Sequence, residues 1–96
     1  MKVTEGQIQG SIRHFLQQFN WFVIRHHQGL GCHKGLSDLT AIKNGRTVYI
    51  EVKKPGGVQS VYQKEFQREV ETRGAEYILA CSLDDVAHLE PGARLF

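Results

Sequence analysis

Residues 35–54, Gly35-LSDLTAIKNGRTVYIEVK-Lys54, read as two β-strands joined by the tight turn Asn44-Gly45. A two-residue type I′ turn needs positive φ at both central positions, which Asn and Gly tolerate best. With those two as the loop, Lys43 faces Arg46, Ile42 faces Thr47 and Thr40 faces Tyr49, and carrying the register outward sets Asp38 opposite Glu51. Cross-strand partners share a face with Cβ atoms roughly 4.5–5.5 Å apart, and like charges so placed repel. Lys53 lies two residues past Glu51, on the same face and roughly 7 Å along the strand, while Val48, Ile50 and Val52 alternate onto the other face as a core stripe. A divalent cation between the carboxylates would relieve the repulsion, and a hard ion such as Mg²⁺ takes one or two carboxylates with waters and phosphate oxygens. The plainer reading is a solvated, charge-rich strand on which Glu51 and Lys53 simply pair. Two facing acids weigh against it, because a solvated face has no reason to oppose them.

The rest of the chain reads as support for this hairpin. Its 96 residues make a single domain, residues 1–96, large enough for one core without metal or disulfide staples. With 41% hydrophobic and 23% charged residues and no low-complexity run, the composition is that of a soluble globular protein. No apolar run is long enough to span a bilayer, and MKVTEGQIQG lacks the apolar region of a signal peptide, so a cytoplasmic, intracellular setting is expected and no membrane partner. Cys32 and Cys81 show no metal or redox spacing and are expected as free thiols. A formal charge of +2 is compatible with nucleic acid without pointing to it, so any phosphate-binding surface must come from local clusters. The candidates are Arg25, His26, His27, His33 and Lys34 on one side and Lys53, Lys54, Lys64 and Arg68 on the other.

Thr4 and Gln7 form a capping box ahead of Ile8, Ile12, Phe15, Leu16 and Phe19, which recur at helical spacing and predict an amphipathic helix over 5–18. Glu5, in its first turn, either complements the helix dipole or leans into a metal site. Residues 21–27, WFVIRHH, predict a strand, and residues 28–35, QGLGCHKG, a glycine-rich, substrate-facing loop that lacks the features of a P-loop. The spacing of His26, His27, Cys32 and His33 matches no zinc finger or ribbon. Ser60 and Gln63 form a second capping box for a helix over about 60–73, with Tyr62, Phe66 and Val70 as its core face. Gln63 is either a plain cap or a neighbour of the Glu51/Lys53 strand end. The apolar run 75–81 predicts a strand buried on both faces, parallel to its predecessor across the helix. Ser82 then caps a short helix to about His88, and Glu90–Phe96 reads as a tail. The expected fold is α/β, in the order αβββαβ, with a mixed central sheet flanked by helices.

That order, with Asp38 on the second strand and Glu51-Val52-Lys53 on the third, resembles the PD-(D/E)xK nuclease superfamily with its restriction-endonuclease-like core. The run GLSDLTAI…VYIEVKKPGG…S…Q, with an acid in the first helix, is similar to a stand-alone VRR-NUC domain of the type encoded by phages. The resemblance spans roughly residues 4–86. One departure is Ser37, where the superfamily has Pro before the Asp.

The resemblance implies a Mg²⁺- or Mn²⁺-dependent endodeoxyribonuclease with no organic cofactor, acting as a homodimer on branched, double-stranded DNA such as four-way (Holliday) junctions, in a host cytoplasm for a phage-encoded member. It implies Asp38, Glu51 and the Val52 backbone carbonyl as metal ligands, with Glu5 as a further candidate. Lys53 would activate or position the attacking water, and Gln63 would stand beside the catalytic centre. His33, Lys34, Lys54, Lys64 and Arg68 are the candidate DNA contacts. The rival reading is a non-catalytic nucleic-acid-binding module of a replication or recombination assembly. A sequence-specific restriction-like enzyme is disfavoured, because the chain has no room for a target-recognition region.

Overall fold

In the computed structural model, which describes residues 2–93, the Asn44-Gly45 turn is in place with both residues at positive φ, 51° and 79°. It joins β2 (Leu39–Lys43) to β3 (Arg46–Val52) in the expected register, Lys43 on Arg46 through Leu39 on Ile50. Helix α1 (Glu5–Gln18) precedes β1 (Phe22–Arg25), and α2 (Val61–Glu71) connects β3 to β4 (Glu76–Ala80). The sheet order is β1-β2-β3-β4, antiparallel except for the β3–β4 pair, which is parallel across the helical crossover. The αβββαβ order and the mixed sheet are therefore those expected from the sequence.

Strand alternation divides the chain into three layers. Leu39, Ala41, Val48, Ile50 and Val52 face one way and pack with Ile8, Ile12, Phe15 and Leu16 of α1 in the main core. The residues between them, Thr40, Tyr49 and Glu51, face the other way, where Phe66 of α2 meets Tyr49 and Tyr77 edge-on. Both capping boxes form, Thr4 with Gln7 and Ser60 with Gln63.

Several expectations are corrected. The first strand is Phe22–Arg25, shorter than 21–27, because Trp21 turns into the core and its indole N–H donates to Glu90 at 2.7 Å. Lys43 reaches the same Glu90 oxygen at 2.8 Å, so Glu90 is an anchor and not the start of a tail; Arg94–Phe96 lie outside the described residues. β4 is an edge strand rather than one buried on both faces: only Tyr77 and Ala80 are buried, and Leu79 is 37% exposed. Tyr62 is not core but exposed in the first turn of α2, with the Lys34 ammonium 4.9 Å above its ring. The last helix is a 3-10 helix, Leu83–Leu89, whose Val86 and Leu89 complete the main core.

Candidate active site

The carboxylates meet where β2 begins and β3 ends. Asp38 stands one residue before β2, and its backbone carbonyl accepts the His26 N–H at 2.9 Å, which continues the β1–β2 pairing past Arg25. Its side chain crosses to β3, where Oδ2 accepts the Val52 N–H at 2.8 Å. Glu51 is 3% exposed and lies on the same face. Lys53 Nζ is 3.8 Å from Glu51 Oε2, near enough for charge attraction and too long for a direct hydrogen bond. Ser37, fully buried, donates its hydroxyl to the Leu39 carbonyl at 2.9 Å. This local bond braces the backbone beside Asp38, the shaping work that a proline does covalently.

Gln63 resolves the choice between cap and site by serving both. Its Oε1 accepts the Ser60 N–H at 2.8 Å, closing the capping box, and its Nε2 donates to Glu51 Oε2 at 2.9 Å. The first turn of α2 is held there by Gly35: at φ 81°, a Cβ on this residue would lie 2.1 Å from the Tyr62 carbonyl oxygen. Only glycine lets the loop approach the helix so closely. Glu5 Oε2 accepts the Lys54 N–H at 3.1 Å, tying the start of α1 to the end of β3 and bringing a third acid toward the pair.

Two neighbours of the carboxylates were not assigned to them from the sequence, which offered His26 only among the candidate phosphate contacts. Gln28 Nε2 donates both to the Leu36 carbonyl, at 2.7 Å, and to Asp38 Oδ1, at 3.2 Å, so the glycine-rich loop is tethered to the carboxylate. The His26 ring bonds the Thr40 hydroxyl beside Asp38. Neither lies in a motif; the one usable signal was that β1 pairs with β2 and so delivers the residues after it to Asp38. Of the expected DNA contacts, His33 packs its ring 5.8 Å from Phe66, Lys34 covers Tyr62, and Lys54 is exposed at the rim. Lys64 and Arg68 are exposed on α2, one turn apart, and among the described residues neither side chain bonds to the carboxylates.

The titration of the site follows from its burial. Glu51 is pushed up to about 7, first by burial and then by the Asp38 charge, with Lys53 pulling the other way. Asp38 is also raised, chiefly by burial, and the Val52 N–H bond opposes that rise. The His26 imidazole is lowered by burial, against the pull of Asp38. Glu51 Oε1 is buried without any hydrogen-bond partner, an arrangement that costs about 1–3 kcal/mol unless something else meets the oxygen. A cation is what fits such an oxygen. Among the described residues no three His, Cys, Asp or Glu side chains are gathered to hold one. Two carboxylates supplemented by a backbone oxygen, water and phosphate make the ligand set of Mg²⁺ or Mn²⁺ and not that of structural zinc.

No family model and no curated protein matches the sequence. Among solved structures, one titled "VRR_NUC domain" superimposes with a TM-score of 0.74 at 18% identity, covering 94% of this chain and 97% of the other. The chain thus has the fold of a VRR_NUC domain over nearly its whole length.

Proposed function

We propose that this nuclease-type fold is used as such: the chain is a Mg²⁺- or Mn²⁺-dependent endonuclease that hydrolyses phosphodiester bonds in DNA, acting as a homodimer on branched duplexes such as four-way junctions. The observation that carries the reading is Glu51, a buried carboxylate with one unpartnered oxygen, set against Asp38 and beside Lys53. A binding module gains nothing from this arrangement, because opposed buried acids repel both each other and a phosphate.

Asp38 and Glu51 would hold the ion together with the Val52 carbonyl, which strand geometry directs to the same side as the N–H that Asp38 accepts. When bound, the ion supplies positive charge for the phosphoryl oxygens and acidifies a water. Gln63 keeps the Glu51 carboxylate oriented through its 2.9 Å bond. Lys53 places a cation where charge develops on the phosphate and orients the attacking water, a contribution on the order of 10²–10³ in rate. Glu5 steadies the strand end through the Lys54 N–H and adds a nearby negative charge that favours the cation. His33, Lys34, Lys54, Lys64 and Arg68 would meet the DNA backbone.

The homodimer is supported by an uncovered patch on edge strand β1. Phe22 is 65% exposed, and Ile24 and Ile42 are each 37% exposed; Phe22 pairs with Ile42 and Ile24 with Thr40, so the three share the sheet face that carries Thr40 and Tyr49, on strands that α2 does not cover. A two-fold pairing there would bury the patch and present two sites to two strands. Among the described residues no helix is long and apolar enough to cross a membrane. An intracellular setting belongs to this reading, and the free thiols of Cys32 and Cys81 accord with it.

Labelled four-way junction, flap, linear duplex and single strand, incubated with Mg²⁺, Mn²⁺ or EDTA, test the reading with wild type and Asp38→Ala side by side. Paired, metal-dependent cuts in the junction that vanish in the variant are expected. Tight metal-independent binding with no cutting of any substrate would replace the enzyme with the non-catalytic module.

A further inference from the structure

Beside the carboxylates, on the same side of the sheet, lies a recess of about 450 Å³ lined by Tyr49, Phe66, Val70, His33 and Arg73. We propose that it receives one unpaired base of the bound strand, stacked against His33 and Tyr49, next to the phosphate that is cut. The proposal rests on the reading of Asp38 and Glu51 as a nuclease site for DNA.

Three elements link the recess to that site. Tyr49 and Glu51 are two residues apart on one face of β3, a separation of roughly 7 Å, about one nucleotide of an extended strand. Phe66 is three residues from Gln63, on the neighbouring turn of α2. His33 belongs to the loop that Gly35 locks against Tyr62 and Gln63. The rings that form the floor are fixed by one another: Phe66 meets Tyr49 at 5.2 Å edge-on and Tyr77 at 6.4 Å. Phe66 is 8% exposed and belongs to the packing beneath, whereas Tyr49 is partly exposed and His33 exposed. Such a floor offers apolar ring surface to a base without requiring a particular sequence, since every base has a π-face.

Charge at the rim matches a nucleotide rather than an apolar side chain. Arg73 borders one end, ion-paired on the surface with Glu69, which also lines the recess. His33 borders the other, and Lys34, next to it in the chain, is spread over Tyr62. A phosphate at the Lys34 end of the base would meet a cation, and one at the other end would compete with Glu69 for Arg73. A fully paired duplex has no base free to enter, so the recess favours branch points, flaps and ends, where unpaired bases occur.

The test uses full-length protein in EDTA, where nothing is cut, with flapped oligonucleotides carrying 2-aminopurine at one position at a time. Wild type should quench the fluorescence strongly at one unpaired position. His33→Ala, in an exposed loop residue, should remove most of that quench and weaken flap binding by roughly 5- to 150-fold, the range of one base–aromatic stack, and weaken fully paired duplex, which loses only a backbone contact, far less. Tyr49→Leu, which preserves apolar volume, should act in the same direction. Parallel cleavage with Mn²⁺ separates the two ideas. Asp38-dependent cutting without a position-specific quench, or with a quench unchanged in His33→Ala, overturns the recess and leaves the nuclease reading standing. A His33-dependent quench without cutting upholds base capture and sinks the nuclease reading.

Discussion

Replacing Glu51 with Gln should make the metal-free protein more stable at alkaline pH relative to wild type, even though it removes the centre of the site. Folded Glu51 holds its proton up to about 7, while its ordinary value is 4.5. Between these values the folded state binds more protons than the unfolded chain, so stability falls as pH rises through the window. Each unit of difference corresponds to about 1.36 kcal/mol, and from pH 5 to pH 8 Glu51 alone should cost wild type about 2–3 kcal/mol. For a domain of this size that is a melting shift of roughly 10 °C or more. Asp38, also raised, contributes with the same sign in both proteins and so largely cancels from their difference. Glu51→Gln carries no charge to desolvate, and any cost of fitting an amide beside Gln63 is independent of pH. Urea unfolding in EDTA at pH 5 and pH 8 should show the difference between variant and wild type moving in favour of the variant by that amount. Mn²⁺ at pH 8 should then stabilise wild type, because a cation replaces the missing proton, and leave Glu51→Gln unmoved. A stability difference that is flat with pH would refute the assignment of Glu51 as a buried, charge-strained carboxylate.

Lys53→Ala should lower cleavage on the order of 10²–10³-fold with little change in melting temperature, since its ammonium makes no direct hydrogen bond to Glu51; cutting at the wild-type rate would remove Lys53 from the mechanism. Gly35→Ala should destabilise the protein by about 2 kcal/mol or more, because the residue has φ 81° and its new Cβ would strike the Tyr62 carbonyl; an unchanged melting curve would mean that the loop does not pack on α2 as described. Phe22→Lys should convert a dimer to a monomer in sedimentation at micromolar concentration without altering the circular dichroism spectrum; wild type sedimenting as a monomer would end the dimer reading.

The hairpin was legible because its causes are local. Asn44-Gly45 dictates a turn type, the turn dictates the register, and the register alone places Asp38 toward Glu51 and Val48, Ile50 and Val52 on the opposite face. Both capping boxes were legible for the same reason, since each closes within four residues. Misreadings fell where neighbours in space decide. An apolar run such as 76–80 looks alike in a central and an edge strand, and only the sheet order leaves Leu79 exposed. Tyr62 fits a helical core stripe, but the first turn of α2 overhangs the site and leaves the ring to Lys34.

By itself, then, the sequence determined the strand pairing at the centre, the helix boundaries to within about two residues, and the convergence of Asp38, Glu51 and Lys53, all consequences of chain connectivity and short-range sterics. Tertiary structure alone decided what surrounds them. Gln63 reaches Glu51 from a helix twelve residues on, Gln28 reaches Asp38 from a loop, and Glu5 arrives from forty-nine residues before Lys54. Burial of Glu51, and with it the rise of its titration to about 7 and the unpartnered oxygen, likewise exists only once α2 has packed over the sheet. The physical reason is that desolvation depends on every group that displaces water from a site, and those groups come from the whole chain.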